Sequence, residues 1–301
     1  MILTAVIIII VFVLAIQYVQ LQRELAEAKQ RLNSYQSQNI ALSYGEMTYV
    51  DKGTGPVILV AHGISGGYDQ GYEALHGKEE QYRILAPSRF GYLGSTVPGN
   101  ASPKAQAAAY KELLDALGIE KVFLLGTSAG GTIAIRFALD YPDRTQGLIL
   151  YSSAFPLPEK PESYSNYQGP PAFLCNDFAM WLFRPLFKPM MGMKPNTIYG
   201  MLPVSKRKEG MQIDAATVNP DMARNFDQYP IEEMNVPALI VGARDDKLAN
   251  FDTMEQAISR FRYYTLLAFD TGGHMMEGHE QEIDTAFDTF IQASVLLESD
   301  R

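Results

Sequence analysis

The chain has 301 residues, 47% of them apolar and 20% charged, which excludes a disordered or collagen-like polymer and allows a sizeable buried core. Twenty-five Lys and Arg against 34 Asp and Glu leave a formal charge of −9, so the chain is a poor grip for phosphate backbones and nucleic acid is not expected as a partner. One cysteine, Cys175, excludes an intrachain disulfide and a Cys-based zinc site, and with only four histidines beside it a structural metal centre is not expected.

Residues 1–20 read MILTAVIIIIVFVLAIQYVQ, and Thr4 is the one polar side chain before Gln17. At about 1.5 Å per residue such a helix reaches roughly 28 Å by residue 19, close to the hydrocarbon thickness of a bilayer. A secretory signal would carry a basic start and a small-residue cleavage pattern, and this segment has neither. A buried core helix would show a polar face, also lacking. The expectation is a single-pass anchor that takes the lipid bilayer as a partner. Arg23, Lys29 and Arg31 follow the span and no basic residue precedes it, a small bias that places the rest of the chain on the cytoplasmic side.

Over residues 21–40, Leu21, Leu25, Ala28, Leu32 and Tyr35 recur at alternating spacings of four and three. Two heptads are too few for an independent coiled coil, so a helical stalk continuing the anchor is expected, its stripe against the domain rather than in a dimerising zipper. The oligomeric state is not legible.

From 41 to 301 short apolar runs alternate with amphipathic stretches. Strands are predicted at Met47–Asp51, Val57–Ala61, Tyr82–Pro87, Lys121–Leu125, Gly147–Ser152, Pro237–Val241 and Tyr263–Phe269. Helices are predicted at Ala101–Leu117, Thr132–Tyr141, Met254–Phe261 and Glu282–Leu297. That alternation predicts an α/β fold, a mostly parallel sheet flanked by helices. Residues 156–235 break the rhythm. After a proline-rich start they carry Trp181, Phe183, Met190 and Met191, which suit either the core of a helical insertion or the lining of an apolar substrate pocket.

The chemistry centres on Lys121–Thr132, KVFLLGTSAGGT, where Gly126-Thr127-Ser128-Ala129-Gly130 fits G-x-S-x-G between a strand and a helix. A serine on so tight a turn needs small neighbours, and the helix start behind it offers amides to a developing oxyanion. A phosphate-binding loop is excluded, because no Gly-Lys-Ser/Thr follows. A serine nucleophile needs a base and an orienting carboxylate. His274, in Thr-Gly-Gly-His after the last strand, is the expected base, ahead of His62, His76 and His279. The acid is expected in Asp245-Asp246 after the strand VPALIVGA, the other member of the pair bonding the loop or solvent.

His-Gly after an early strand, G-x-S-x-G, Asp after a later strand and a final Gly-His, in the order Ser…Asp…His, resemble the α/β-hydrolase fold family over about Gly45–Leu297. The resemblance implies Asp246 as the acid, Ile64 and Ala129 as oxyanion-hole amides, His62 as a structural residue, and residues 156–235 as a helical lid. Many members carry Asp-x-x-G-x-G-x-S where this chain reads PSRFGYLGS at 87–95, without the Asp and with one glycine displaced. The expected function is a cofactor-free serine hydrolase acting on a carboxylic ester with an apolar part. The alternatives are hydrolysis of a carbon–carbon bond in a vinylogous diketone and a non-catalytic tethered binding protein. Because all these site residues lie between Ile64 and His274, deleting residues 1–38 is expected to leave activity intact.

Overall fold

Strands β1 (Gln38–Leu42), β2 (Gly45–Lys52), β3 (Val57–Ala61), β4 (Arg83–Pro87), β5 (Val122–Thr127), β6 (Thr145–Tyr151), β7 (Ala238–Ala243) and β8 (Tyr264–Phe269) join in one sheet. The computed structural model describes residues 2–299, and among these the strand order is β1-β2-β4-β3-β5-β6-β7-β8. β1 pairs antiparallel with β2, and β2 with β4; every neighbouring pair from β4 to β8 is parallel. The strands β3, β5 and β7, all inside the sheet, are buried almost throughout. This is why VILVA, VFLLGT and ALIVGA read as continuous apolar runs rather than alternating ones.

Helices cover both faces of the sheet. The long helix α1 (Ile2–Ser34) precedes it, α2 (Tyr68–Glu73) follows β3, α3 (Pro103–Ala116) follows β4 and α4 (Gly130–Asp140) follows β5. α3 starts where Ser102 Oγ accepts from the Ala105 amide at 3.3 Å, with Pro103 in the first turn. Its Leu113 and Leu114 pack with Ile133 and Phe137 of α4 against one face. Tyr68 and Tyr72 of α2 cover the other face, together with Phe287 and Ile291 of the C-terminal helix Glu280–Ser299.

Between β6 and β7 the chain forms the insertion. Its short helices are α5 (Asp177–Phe183), α6 (Phe187–Met191), α7 (Ile198–Met201), α8 (Lys208–Ile213) and α9 (Asp221–Arg224), and a π-helical turn, Asp214–Val218, extends α8. Two buried ion pairs fasten it to the sheet domain. Arg89 beyond β4 holds Asp214, its Nη2 at 2.6 Å, and Tyr92 donates to the same carboxylate. Arg207, just before α8, holds Asp69 of α2.

The N-terminal region differs from its expected boundaries. α1 ends at Ser34, and Gln38–Asn39–Ile40, expected in the stalk, begin β1. Backbone pairing with β2 and the bond from Thr48 Oγ1 to Asn39 Oδ1 at 2.8 Å draw this segment into the sheet. The stripe lies on the protein: Leu21 and Ala28 join Trp181, Phe187 and Leu202 in the core of the insertion, and Tyr35 packs edge-on to Tyr68 and Tyr72. The apolar first half of α1 is exposed, and it is long enough to cross a membrane by length and composition.

Candidate active site

Ser128 sits on the turn between β5 and α4 with φ of 49°, a left-handed conformation that is costly for a side-chain-bearing residue. Its amide donates to Tyr151 O at 3.2 Å, and its carbonyl accepts from Gly131 and Ala154 at 3.0 and 2.8 Å. The small neighbours are steric requirements. A Cβ on Gly130 would lie 1.9 Å from Ala61 O, and one on Gly126 would lie 2.8 Å from Ala134 Cβ. Ser65, Ser152 and Met276 share the left-handed conformation, so four such residues surround the ends of β3, β5, β6 and β8. Concentrated backbone strain of this kind marks functional sites.

His274 follows β8 on a short turn. Its Nδ1 lies 2.9 Å from Asp246 Oδ2, and the other oxygen of Asp246 accepts from the Leu248 and Ala249 amides at 2.8 and 3.1 Å. A carboxylate so held favours the tautomer with the proton on Nδ1, which leaves the Nε2 lone pair to accept a proton. Asp245 Oδ1 accepts from the Gly273 amide at 2.8 Å, so the two neighbouring acids divide the work: one meets the imidazole, the other its loop. His279 is stacked on Phe269 at 3.9 Å and bonded to Thr271 O and Glu282, and His76 is paired with Glu79.

Two residues without any sequence signal tie the halves of the site together. Tyr151 O holds the Ser128 amide, while Tyr151 OH donates to Met275 O at 3.1 Å. The next residue, Ser152, donates from Oγ to His274 O at 2.8 Å. The end of β6 thus anchors the backbones of Ser128 and His274 from adjoining positions. Among the described residues the Ser128 hydroxyl and His274 Nε2 make no hydrogen bond to each other; such contacts commonly tighten only when substrate is bound.

The loop after β3 passes directly over the serine: a Cβ on Gly63 would stand 3.0 Å from Ser128 Cβ. His62 is fully buried, with Nδ1 at 2.8 Å from Gly63 O and Nε2 accepting from the Arg89 amide at 3.0 Å. Burial first, and the Arg89 charge second, hold its imidazole well below the usual histidine range, so it is a neutral structural group. Gln70 Oε1 accepts from Gly63, and Gly66 closes a turn back to Gly63 O at 3.2 Å. The Ile64 amide lies in that turn and the Ala129 amide on the far side of Ser128; among the described residues neither donates to a protein acceptor. Ser88 stands where the related pattern has Asp, buried and accepting from the Tyr68 amide at 3.0 Å.

The insertion residues are placed differently from one another. Trp181 is 1% exposed in the insertion's own core, with the Arg184 guanidinium 3.4 Å over its ring. Phe183 and Met191 pack on the edge of that core, and Met190 is on the surface. The insertion meets the Gly63–Gly66 turn through small residues instead: a Cβ on Gly169 would touch Ala215 at 2.5 Å and come within 3.6 Å of the Ile64 side chain.

The alpha/beta hydrolase fold family matches residues 56–276, more than two thirds of the chain and the whole of this site. The chain belongs to the alpha/beta hydrolase fold family. Its relatives in this fold carry several chemistries. It is 35% identical over 141 residues to epoxide hydrolase 3 of Siraitia grosvenorii, a match covering 43% of this chain and 44% of that one. The chain thus spans less than half the length of the first curated relatives it matches. A 2-hydroxy-6-oxo-6-phenylhexa-2,4-dienoate hydrolase of Burkholderia cepacia is 27% identical over 251 residues, 74% of this chain and 83% of that one. Among solved structures, a bacterial membrane phospholipase A superposes with a TM-score of 0.67 at 18% identity, covering 97% of this chain and 98% of its own. So broad a match leaves too few residues over to omit the 33-residue α1.

Proposed function

We propose that this alpha/beta hydrolase is a serine hydrolase, anchored by the first half of α1, that cleaves a carboxylic ester with an apolar acyl or alcohol part. The observation that carries the reading is the Asp246–His274 pair, tied through Ser152 to the same strand end that holds the strained Ser128. Ser128 Oγ adds to the carbonyl carbon as its proton passes to His274 Nε2, and Asp246 stabilises the resulting imidazolium. The Ile64 and Ala129 amides receive the negative oxygen. The bond to the alkoxy group then breaks, and the proton on His274 leaves with the alcohol. Water, deprotonated by the same histidine, attacks the acyl-enzyme and frees Ser128. No step calls for a cofactor. Phe183, Met190 and Met191 are proposed to set acyl preference from the lid, with Trp181 supporting them from the insertion's core. The basic residues after the span support a cytoplasmic side for the domain.

A second reading has a specific basis: the Burkholderia relative, matched over most of this chain, is named for a dienoate substrate whose cleavage breaks a carbon–carbon bond. Labelling by a fluorophosphonate probe, followed by turnover of p-nitrophenyl esters of graded acyl length and of a vinylogous diketone, separates the possibilities. Labelling at Ser128 with ester turnover well above diketone turnover is expected. Absence of labelling on folded full-length protein would return the chain to a non-catalytic binding role.

The two acids give a sharper test. Asp246→Asn is expected to lower kcat by a factor on the order of 10³ to 10⁴, because an amide favours the wrong imidazole tautomer. Asp245→Asn, which keeps an oxygen to accept from Gly273, is expected to stay within about tenfold of wild type, on the scale of one ordinary hydrogen bond. Steady-state kinetics of the two purified variants decide it, and the opposite ranking would move the acid to Asp245.

A further inference from the structure

A chain of charges runs from α1 to the turn over Ser128. Asp69, the second residue of α2, is fully buried and meets two arginines from distant parts of the sequence. Arg207 is itself fully buried. Its Nη1 and Nη2 reach Asp69 at 3.0 and 2.8 Å, Nη1 also donates to Gly66 O, and Nη2 to Leu202 O at 3.2 Å. Arg31, in the last turn of α1, donates from Nη1 to Asp69 Oδ2 at 2.7 Å and from Nη2 to Leu202 O at 3.1 Å and Tyr199 O at 3.4 Å. The two guanidiniums therefore share two acceptors, Asp69 Oδ2 and Leu202 O. Burial opposes ionisation of the Asp69 carboxyl, and the paired charges more than offset it, holding its pKa at about 2.

Gly66 is the far end of the turn whose near end is Gly63 and whose second residue is Ile64. Arg207 holds that turn by the Gly66 carbonyl, and Arg207 is held in place by Asp69 and Leu202 O. Both of these are also gripped by Arg31. Removing Arg31 leaves Asp69 and Leu202 O with one arginine instead of two and unties α1 from both. An oxyanion donor displaced by a few tenths of an ångström loses part of an effect that amounts to 10² to 10³ in rate when a donor is removed outright.

We propose that Arg31 of the N-terminal helix is a positioning residue that, through Asp69 and Arg207, keeps the Gly63–Gly66 turn where the Ile64 amide receives the oxyanion. The helix is then a working part of the hydrolase and not only its tether. This rests on the serine-hydrolase reading, and the experiment separates the two. Full-length wild type, Arg31→Gln, Arg31→Lys and Gln17→Ala are purified in one detergent and titrated with the fluorophosphonate, so that rates are expressed per active site. Each is assayed for kcat and KM on one soluble ester and for inhibition by a trifluoromethyl ketone, whose serine adduct carries the oxyanion.

Arg31→Gln is expected to lower kcat about tenfold at nearly constant KM, and to weaken the ketone by a similar factor, since the hole acts on the tetrahedral state. Arg31→Lys, which keeps the charge but not the fork, should fall between it and wild type. It decides the matter on the same two readouts if the glutamine variant does not fold. Gln17→Ala removes a helix–lid contact, the bond from Arg184 at 3.3 Å, away from the cluster and should match wild type. An unchanged kcat in the Arg31 variants overturns the proposal. So does a fall in kcat with unchanged ketone affinity, or one reproduced in full by Gln17→Ala. A wild type that does not label overturns the serine-hydrolase reading itself.

Discussion

Ser128→Ala and His274→Ala are each expected to reduce ester turnover by a factor on the order of 10⁵, and the double variant by little more. On the serine-hydrolase reading proposed above, nucleophile and base act as one unit, so removing either abolishes the same covalent step. What remains is the oxyanion turn and substrate binding, which keep a residual rate above that of water. His279→Ala is the matched control, because its ring is stacked on Phe269 and bonded to Thr271 O, away from Asp246. Turnover of the four purified proteins on one p-nitrophenyl ester checks this. A loss in His279→Ala as deep as in His274→Ala would show that the base has been misassigned.

The largest effect on stability is expected at Asp214. Its carboxylate takes two bonds from Arg89 and one from Tyr92, and all three side chains are almost wholly inaccessible to solvent. Asp214→Ala leaves the Arg89 guanidinium buried without its counter-charge, and Arg89 Nε already has no partner. Breaking such a pair from one side costs about 3–5 kcal/mol, most of it the penalty of the stranded charge. Chemical unfolding in detergent measures it. Asp227→Ala, which removes the exposed pair with Lys160, should stay within about 0.5 kcal/mol of wild type. The combined Arg89→Met and Asp214→Leu variant should recover much of the loss, since no charge is then buried. A loss below about 1 kcal/mol for Asp214→Ala would mean that water reaches the pair, against its burial.

The elements legible in the chain are those whose signal is local. β3, β5 and β7 announce themselves as unbroken apolar runs because both faces of a central parallel strand are covered. The turn at Ser128 is legible because a crowded backbone admits only Gly and Ala around it, and the exposed half of α1 because its apolar run is continuous. The tertiary structure alone decided the rest. Gln38–Leu42 becomes a strand through its partner Gly45–Tyr49, and nothing in its own five residues requires it. Asp245 and Asp246 are adjacent and chemically identical, and a loop 28 residues further along the chain separates their roles. Ser152 is one serine among many until β6 brings it under His274 O. Arg31 reads as one of three basic residues after an apolar span, yet it shares a carboxylate with an arginine from the insertion. Periodicity and steric crowding are written in neighbouring residues. A buried hydrogen bond or ion pair depends on which distant groups the fold brings within about 3 Å, and that selection is made only when the sheet closes and the insertion and the first helix pack upon it.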